Sequence, residues 1–166
     1  LIFFYAICAA DPKDQEFKKL AKQFADLYAG KNSLNYVADK NIIPAPHNGS
    51  EGLRPGLGQE NQDGYPAGDI NSVMKPYGLP LHYVEGINEW EDLAVKEKSM
   101  FMAAEMERVL GYGDVAVNLA VTSLIANQWL YDNEQSSADW INKYIQGWVD
   151  RAKANDGIVP DNVAPN

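Results

Sequence analysis

The sequence has one cysteine, two histidines and few basic residues. A single thiol, Cys8, excludes an internal disulfide, and together with two histidines it cannot supply the ligands of a typical zinc site. Lysine and arginine number 14 against 23 acids, which gives a net charge of −9. Such a field repels phosphate backbones and anionic lipids, so nucleic acid and membrane surfaces are poor partners. The apolar run at residues 1–10 is shorter than the about 20 residues that cross a bilayer, so we expect no membrane insertion.

The remaining composition is typical of a folded globular chain. Of the 166 residues, 46% are apolar and 22% are charged, which is close to the average of globular proteins. This length suits one domain, and we predict a single domain over residues 1–166. No basic region precedes the apolar residues 1–10, so we interpret them as the end of a buried helix within a longer chain rather than as a signal peptide.

Hydrophobic periodicity predicts five helices, at about 1–10, 14–29, 88–110, 115–131 and 137–155. The second and the fifth are amphipathic, with apolar residues at i, i+3, i+4 and i+7. Each follows a more apolar segment and a short polar turn, which is typical of an αα-hairpin whose first helix is inner.

Two helix starts are predicted from capping residues. Asn88 and Glu91 have the N-cap and N3 spacing of a capping box, and Asp114 stands where it could cap the helix at 115–131.

A long insertion separates the two hairpins at residues 31–87. Residues 44–80 hold 13 of the 22 glycines and prolines, so this part is mostly neither helix nor central strand. Its scattered tyrosines and leucines need burial, and we therefore expect the insertion to be ordered and to build a site.

Two stretches carry a resemblance to a known architecture: FFYAICAADPKDQEFKKLAKQFADLYAG at 3–30 and NLAVTSLIANQWLYDNEQSSADWINKYIQGWVDRAKANDGIVPDN at 118–162. Their inner helix, short turn and amphipathic outer helix resemble the (α/α) toroids of glycoside hydrolases and polysaccharide lyases. The resemblance implies an all-α fold, an incomplete (α/α) toroid of helical hairpins with one long Gly/Pro-rich insertion. It also implies a glycan-degrading activity, a polysaccharide or oligosaccharide partner, and a periplasmic or secreted location.

The alternation of inner and outer helices predicts where a site would lie. Both short turns fall at one end of the bundle, so the insertion, the link at 111–114 and the loop at 155–162 meet at the other end. We predict His47, His82 and Tyr83 as catalytic residues there. The predicted substrate-binding residues are Asn48, Arg54, Tyr65, Tyr112, Asp114, Asn118, Asp161 and Asn162.

Three functions fit this set. A lyase of uronic-acid polymers needs a Tyr or His that removes the C5 proton, and a basic or amide group that neutralises the carboxylate. In that reading Arg54, Lys40 and Lys75 form a local positive patch that outweighs the net charge. A hydrolase needs two carboxyl groups, for which Asp63, Asp69, Glu85, Asp114 and Asp161 are available. A non-catalytic helical binding or scaffold protein is the third, in which the same residues only shape the loops.

No cofactor is expected. Asn61, Asp63, Asp69 and Asn71 offer oxygen ligands that allow a calcium ion, but they lack the spacing and the closing Glu of an EF-hand. Four aromatic residues are predicted to stack on sugar rings, whose C–H faces are apolar: Tyr65, Tyr77, Tyr112 and Trp90.

Overall fold

The computed structural model describes residues 2–44, 76 and 78–165. Five α-helices and two short strands follow one another in this part of the chain. The helices are α1 (Ile2–Ala10), α2 (Gln15–Ala29), α3 (Lys96–Met106), α4 (Thr122–Asp132) and α5 (Gln135–Ala154). The strands β1 (Asp114–Val115) and β2 (Asn162–Val163) pair antiparallel, with Asp114 opposite Val163. The all-α class is therefore confirmed for the described residues.

Helices α2 and α5 form as their periodicity predicts. Asp14 caps α2 by accepting a hydrogen bond from the Phe17 N–H at 2.9 Å. Ala21 and Ala25 are buried on its inner face, and α2 packs mainly against α4. On α5 the aromatic side chains Tyr144 and Trp148 fill the corresponding positions.

The prediction that residues 1–10 form a buried inner helix is wrong. Helix α1 forms, but Phe3 is 80% exposed and Ile7 is 39% exposed, while Cys8 is buried. One side of α1 packs on α2 and α4, where the Tyr5 hydroxyl donates to the Ser123 carbonyl at 3.0 Å. Its opposite side is covered by no other element of the described chain.

The helix predicted at 88–110 is broken in the structure. A 3₁₀ turn (Trp90–Ala94) precedes α3, and a π-helical turn (Glu107–Gly111) follows it. The capping box is also one residue later than predicted, because Glu89 is the N-cap and the Asp92 carboxylate accepts from the Asn88 and Glu89 amides. The second predicted cap is wrong as well. Asp114 lies in β1, a 3₁₀ turn (Ala116–Val121) follows, and α4 starts only at Thr122.

Two buried clusters organise the described residues. The 79–106 cluster is apolar and comes from one continuous stretch of chain: Leu79, Leu81, Val84, Ile87, Trp90, Leu93, Met102 and Met106. The Asp114 cluster gathers distant segments around Ile43, Tyr144 and Trp148, with Tyr28, Tyr36, Trp140 and Val163 packed on them. The second cluster encloses the Asp114 carboxylate, whose residue is 0% exposed.

The two short turns lie at one end of the helices, as the alternation argument predicts. The Phe17 ring, just after the first turn, lies 6.1 Å from the ring of Tyr131, just before the second. At the other end the 111–114 link and the 155–162 loop meet in the β1–β2 pair, and the Ala116 N–H donates to the Asp161 carbonyl at 3.3 Å. The start of the insertion joins them through Ile43.

Candidate functional site

Asp114 is the hub of a buried polar network at this loop-rich end. Its Oδ2 accepts from the Ile43 amide at 3.0 Å and from the Tyr144 hydroxyl at 2.9 Å. Its Oδ1 accepts from the Val115 amide at 2.8 Å and from the Asn118 side-chain amide at 3.1 Å. Asn118 also donates to the Ile43 carbonyl at 3.0 Å. One carboxylate thus ties three separate parts of the chain together.

Burial dominates the electrostatics of this network. Desolvation raises the pKa of Asp114 above its ordinary value, and the hydrogen bonds from Ile43, Asn118 and Tyr144 oppose that rise. Burial and the neighbouring Asp114 charge raise the pKa of Tyr144, so its hydroxyl stays protonated. Both groups are fully enclosed, and their role here is to hold the surrounding segments in place.

Arg151, in the last turn of α5, is the cation next to this network. One of its terminal nitrogens, Nη2, donates to the carbonyls of Lys40 at 3.2 Å and Asn41 at 2.8 Å. The other, Nη1, lies 3.9 Å from the Asp114 Oδ2. The guanidinium also lies over the Trp148 ring, 5.3 Å from its centroid. Its side chain is 18% exposed, so the charge is held in a fixed and mostly buried position.

A close approach of the Asn41 side chain to α5 makes this position available. The Asn41 side chain lies against α5 at Gly147, and it donates to the Lys143 carbonyl at 2.8 Å. A Cβ at position 147 would collide with that side chain. Asn41 itself has a φ of 51°, a left-handed conformation that asparagine tolerates better than most residues. The 40–42 turn therefore packs directly against α5 between Lys143 and Arg151.

A cleft of about 470 Å³ opens beside Arg151, and we call it the Arg151 cleft. It is lined by Lys40, Ile42, Arg151, Val163, Ala164 and Pro165. Two of these residues, Lys40 and Arg151, are cationic, and the other four are apolar. This arrangement suits a ligand that carries a carboxylate on a partly apolar body, because Lys40 can donate to the carboxylate. Arg151 adds positive charge there, although its Nη2 is bonded to the Lys40 and Asn41 carbonyls and its Nη1 is buried.

The predicted site residues fall into three groups. His47, Asn48, Arg54, Tyr65 and Tyr77 lie outside the described residues, as do Asp63, Asp69 and Lys75 of the alternatives and the calcium ligands considered above. Asp114, Asn118, Asp161 and Asn162 are brought together at the β1–β2 pair, where the first two are buried and Asp161 is exposed. Tyr112 is half-buried in the link that leads into β1.

His82 and Tyr83 lie elsewhere, on a turn of the 79–106 cluster. His82 is exposed and Tyr83 is 61% exposed, while their neighbours Leu81 and Val84 point into the cluster. Arg108 pairs with Glu105 at 2.9 Å, and that pair, with the Tyr83 hydroxyl, raises the pKa of Arg108. No hydrogen bond or ion pair between described residues joins His82 or Tyr83 to the Arg151 cleft. The predicted convergence of all these side chains is therefore not seen in the described part of the chain.

Metal ligands do not cluster in the residues that the structure describes, where no group of three His, Cys, Asp or Glu side chains could hold an ion. None of the described helices has the length and apolarity needed to cross a membrane.

Comparison with known families gives one match. A family model described as a domain of unknown function, DUF8034, matches residues 1–166. The chain belongs to this family. No curated protein and no solved structure matches the chain.

Arg151 and Tyr144 are the site residues that the sequence interpretation missed. Tyr144 falls on the apolar face of the amphipathic helix predicted at 137–155, where the pattern predicts packing, and Arg151 looks like any cation on the polar face of such a helix. A usable signal was Gly147, because a glycine inside a 20-residue helix costs about 1 kcal/mol relative to alanine and often marks a close approach. Arg151 follows that glycine by one helical turn.

Proposed function

We propose that the protein binds an acidic saccharide, and that the Arg151 cleft receives the carboxylate of a uronic-acid unit. The observation that carries this proposal is that two cations, the mostly buried Arg151 guanidinium and Lys40, line one cleft of about 470 Å³. The cleft lies at the end of the bundle where the insertion and the 155–162 loop meet. Lys40 is one of the residues expected to form a local positive patch.

The chemistry of the walls agrees with a sugar acid. Ile42, Val163, Ala164 and Pro165 offer apolar surface to the C–H face of a ring, while Lys40 donates to the carboxylate and Arg151 adds positive charge beside it. Asp114 is buried, and its Oδ2 lies 3.9 Å from the Arg151 Nη1, so its carboxylate helps to hold the guanidinium in place. Because Arg151 is mostly buried, its attraction for the ligand is screened by salt less than the long-range repulsion from the net charge.

Binding is favoured over hydrolysis by the state of the carboxylates. Asp114 has both oxygens occupied within the protein and is 0% exposed, so it cannot pair with Asp161 across a glycosidic bond. Among the described residues that line the cleft there is no His, Tyr or carboxylate that could serve as acid or base.

The test is a calorimetric titration of the full chain with trigalacturonate at physiological salt, with galactotriose as the neutral comparison. We expect saturable binding of the acidic trisaccharide alone, weakened about five- to tenfold by Lys40→Ala because a charged hydrogen bond is lost. Lys153→Ala is the matched control, since Lys153 is an exposed lysine of α5 outside the cleft.

Equal effects of the two lysine variants would contradict the assignment of the cleft, and so would equal binding of acidic and neutral trisaccharides. Hexanoate is included as a carboxylate without a sugar. If hexanoate binds and trigalacturonate does not, the saccharide class is wrong.

Lyase activity is a second candidate, favoured by the position of Tyr83 next to Arg108. In such a reaction the Tyr83 oxygen or His82 would take the C5 proton of a uronate, the C4=C5 double bond would form as the C4–O bond breaks, and the departing oxygen would gain a proton from the same side chain or from water. Arg108 would neutralise the carboxylate by exchanging its partner Glu105 for it. The ultraviolet absorbance of the unsaturated product is the measurement, and its absence with every uronide in a polysaccharide panel would reject this candidate.

A further inference from the structure

A second cleft lies between α2, α4 and α5, away from Arg151. It has a volume of about 200 Å³ and is more enclosed than the Arg151 cleft. Its lining is mostly polar and consists of Lys22, Asp26, Ala29, Gly30, Lys31, Gln128, Glu134, Ser136, Ser137 and Trp140. We call it the α2–α4–α5 cleft.

Two buried polar side chains in this wall have unused hydrogen-bonding capacity. Gln128 and Ser137 are each 5% exposed. The Gln128 amide nitrogen donates to the Asp132 Oδ2 at 3.1 Å, but its oxygen has no hydrogen-bond partner among the described residues. The Ser137 hydroxyl likewise has no partner in the part of the chain that the structure describes. Neither oxygen is sealed from solvent, so a ligand in the cleft can replace water at both.

Trp140 adds a third unsatisfied group and a flat wall. Its indole nitrogen is buried and lacks an acceptor among the described residues. One side of the ring stacks on Tyr144, with centroids 5.2 Å apart and planes inclined by 22°. The indole nitrogen is sealed from solvent, so the cleft offers an acceptor at Gln128, a hydroxyl at Ser137 that both donates and accepts, and an aromatic surface.

The charges around the cleft balance. Lys22 pairs with Asp26 at 3.0 Å, and the remaining charged residues of the lining are Lys31 and Glu134, of opposite sign. A ligand with a net charge would meet an equal number of like and unlike charges. A neutral ligand with many hydroxyl groups uses both donors and acceptors and leaves the ion pair intact.

We propose that the α2–α4–α5 cleft binds a neutral, hydroxyl-rich small molecule of the size of a monosaccharide or a cyclic polyol. Its hydroxyls replace water at the Gln128 oxygen and the Ser137 hydroxyl. This site is independent of the Arg151 cleft, since the two share no lining residue.

The experiment is a titration of the full chain with galactose, glucose and myo-inositol, in which the amide chemical shifts are measured by NMR. We expect saturable shifts that centre on residues 128 and 136–140. Gln128→Leu and Ser137→Ala should each weaken binding about five- to tenfold, since each removes a hydrogen bond to the ligand.

The chain offers a matched control for the glutamine. Gln146 also donates to an aspartate four residues later, Asp150, at 2.8 Å, but it lies outside the cleft. Gln146→Leu should therefore leave the affinity unchanged. Unchanged circular dichroism and melting temperature identify the variants that remain folded.

Three results would overturn the proposal. The first is an absence of saturable shifts with all three probes at tens of millimolar. The second is equal weakening by Gln128→Leu and Gln146→Leu. The third is tighter binding of inorganic phosphate or glycine than of any polyol, which would replace the neutral class by an anion or a zwitterion. Loss of uronide binding at the Arg151 cleft has no bearing on this site.

Discussion

The two buried clusters of this chain are built in opposite ways. The 79–106 cluster is closed by apolar side chains from one continuous stretch of chain. The Asp114 cluster collects segments around residues 28–43, 114–121 and 140–163, and it encloses a carboxylate. An apolar cluster tolerates the substitution of one apolar side chain by another, whereas a buried carboxylate requires each of its hydrogen-bond donors in a fixed position. The second cluster is therefore the part of the fold that holds a site rigidly.

The largest effect is expected from Asp114→Ala. This change leaves the Ile43 amide, the Asn118 amide and the Tyr144 hydroxyl without their acceptor and Arg151 without its counter-charge. Breaking such a buried pair costs about 4 kcal/mol of unfolding free energy. Urea denaturation measures the loss.

Asp161→Ala is the control, because Asp161 is exposed on the strand-pair side of the same end. Equal losses in the two variants would contradict the hub role of Asp114. If the two clusters unfold separately, amide hydrogen exchange in the Asp114→Ala variant should become faster at residues 37–43 and 144–151, while residues 90–106 keep their protection.

The next effect is expected in the apolar cluster, from Leu93→Ala. Leu93 is 0% exposed, and removing a buried leucine side chain costs about 3 kcal/mol through lost transfer energy and the cavity left behind. The same denaturation experiment measures it. Binding at the Arg151 cleft should keep its affinity in the folded fraction, and a loss of affinity there would show that the two clusters are coupled.

Local sequence patterns predicted the helices better than the polar centre. The periodicity of residues 14–29 and 137–155 placed α2 and α5 to within two residues at each end, since the apolar stripe and the caps are local features. The breaks around α3 were missed because a 3₁₀ turn and a π turn keep nearly the same apolar spacing as an α-helix.

The candidate site was predicted by position rather than by its residues. Alternation of inner and outer helices indicated the end where the Arg151 cleft lies, and Lys40 was named, but Arg151 and Tyr144 were not. Asp114 was expected to cap a helix, yet its partners Ile43 and Tyr144 are 71 and 30 residues away. Such contacts depend on how segments pack and leave no periodic signal in the sequence.

A smaller, pH-dependent effect distinguishes the acids of the two clusters. At the edge of the 79–106 cluster, hydrogen bonding from Lys98 and from the Asn88 and Glu89 amides lowers the pKa of Asp92 to about 2. A carboxyl whose pKa is lower in the folded state contributes stability above its unfolded pKa, ordinarily 3.8, and loses it as the pH falls towards 2. Asp114, whose pKa is raised by burial, contributes in the opposite direction.

We therefore expect Asp92→Asn to lower the melting temperature relative to the wild type at pH 5 to 7. The difference should shrink between about pH 4 and pH 2, where the wild-type carboxyl takes up its proton. Differential scanning calorimetry across this range is the measurement. A difference that keeps its full size at pH 2 would show that the charge of Asp92 does not matter and that only its shape does.

The smallest stability effect is expected from His82→Ala. His82 and Tyr83 face outward, while Leu81, Val84 and Ile87 on the same segment anchor it in the 79–106 cluster. An exposed side chain of this kind contributes within about 0.5 kcal/mol to stability, so the melting temperature should hardly change. Leu81→Ala is the matched comparison and should lower it clearly, because Leu81 is 6% exposed. If uronide cleavage is detected, His82→Ala should abolish it or reduce it strongly at unchanged stability. A variant that loses several degrees and keeps its activity would instead make His82 a structural residue of the cluster, and would leave the Arg151 cleft as the better place to look for function.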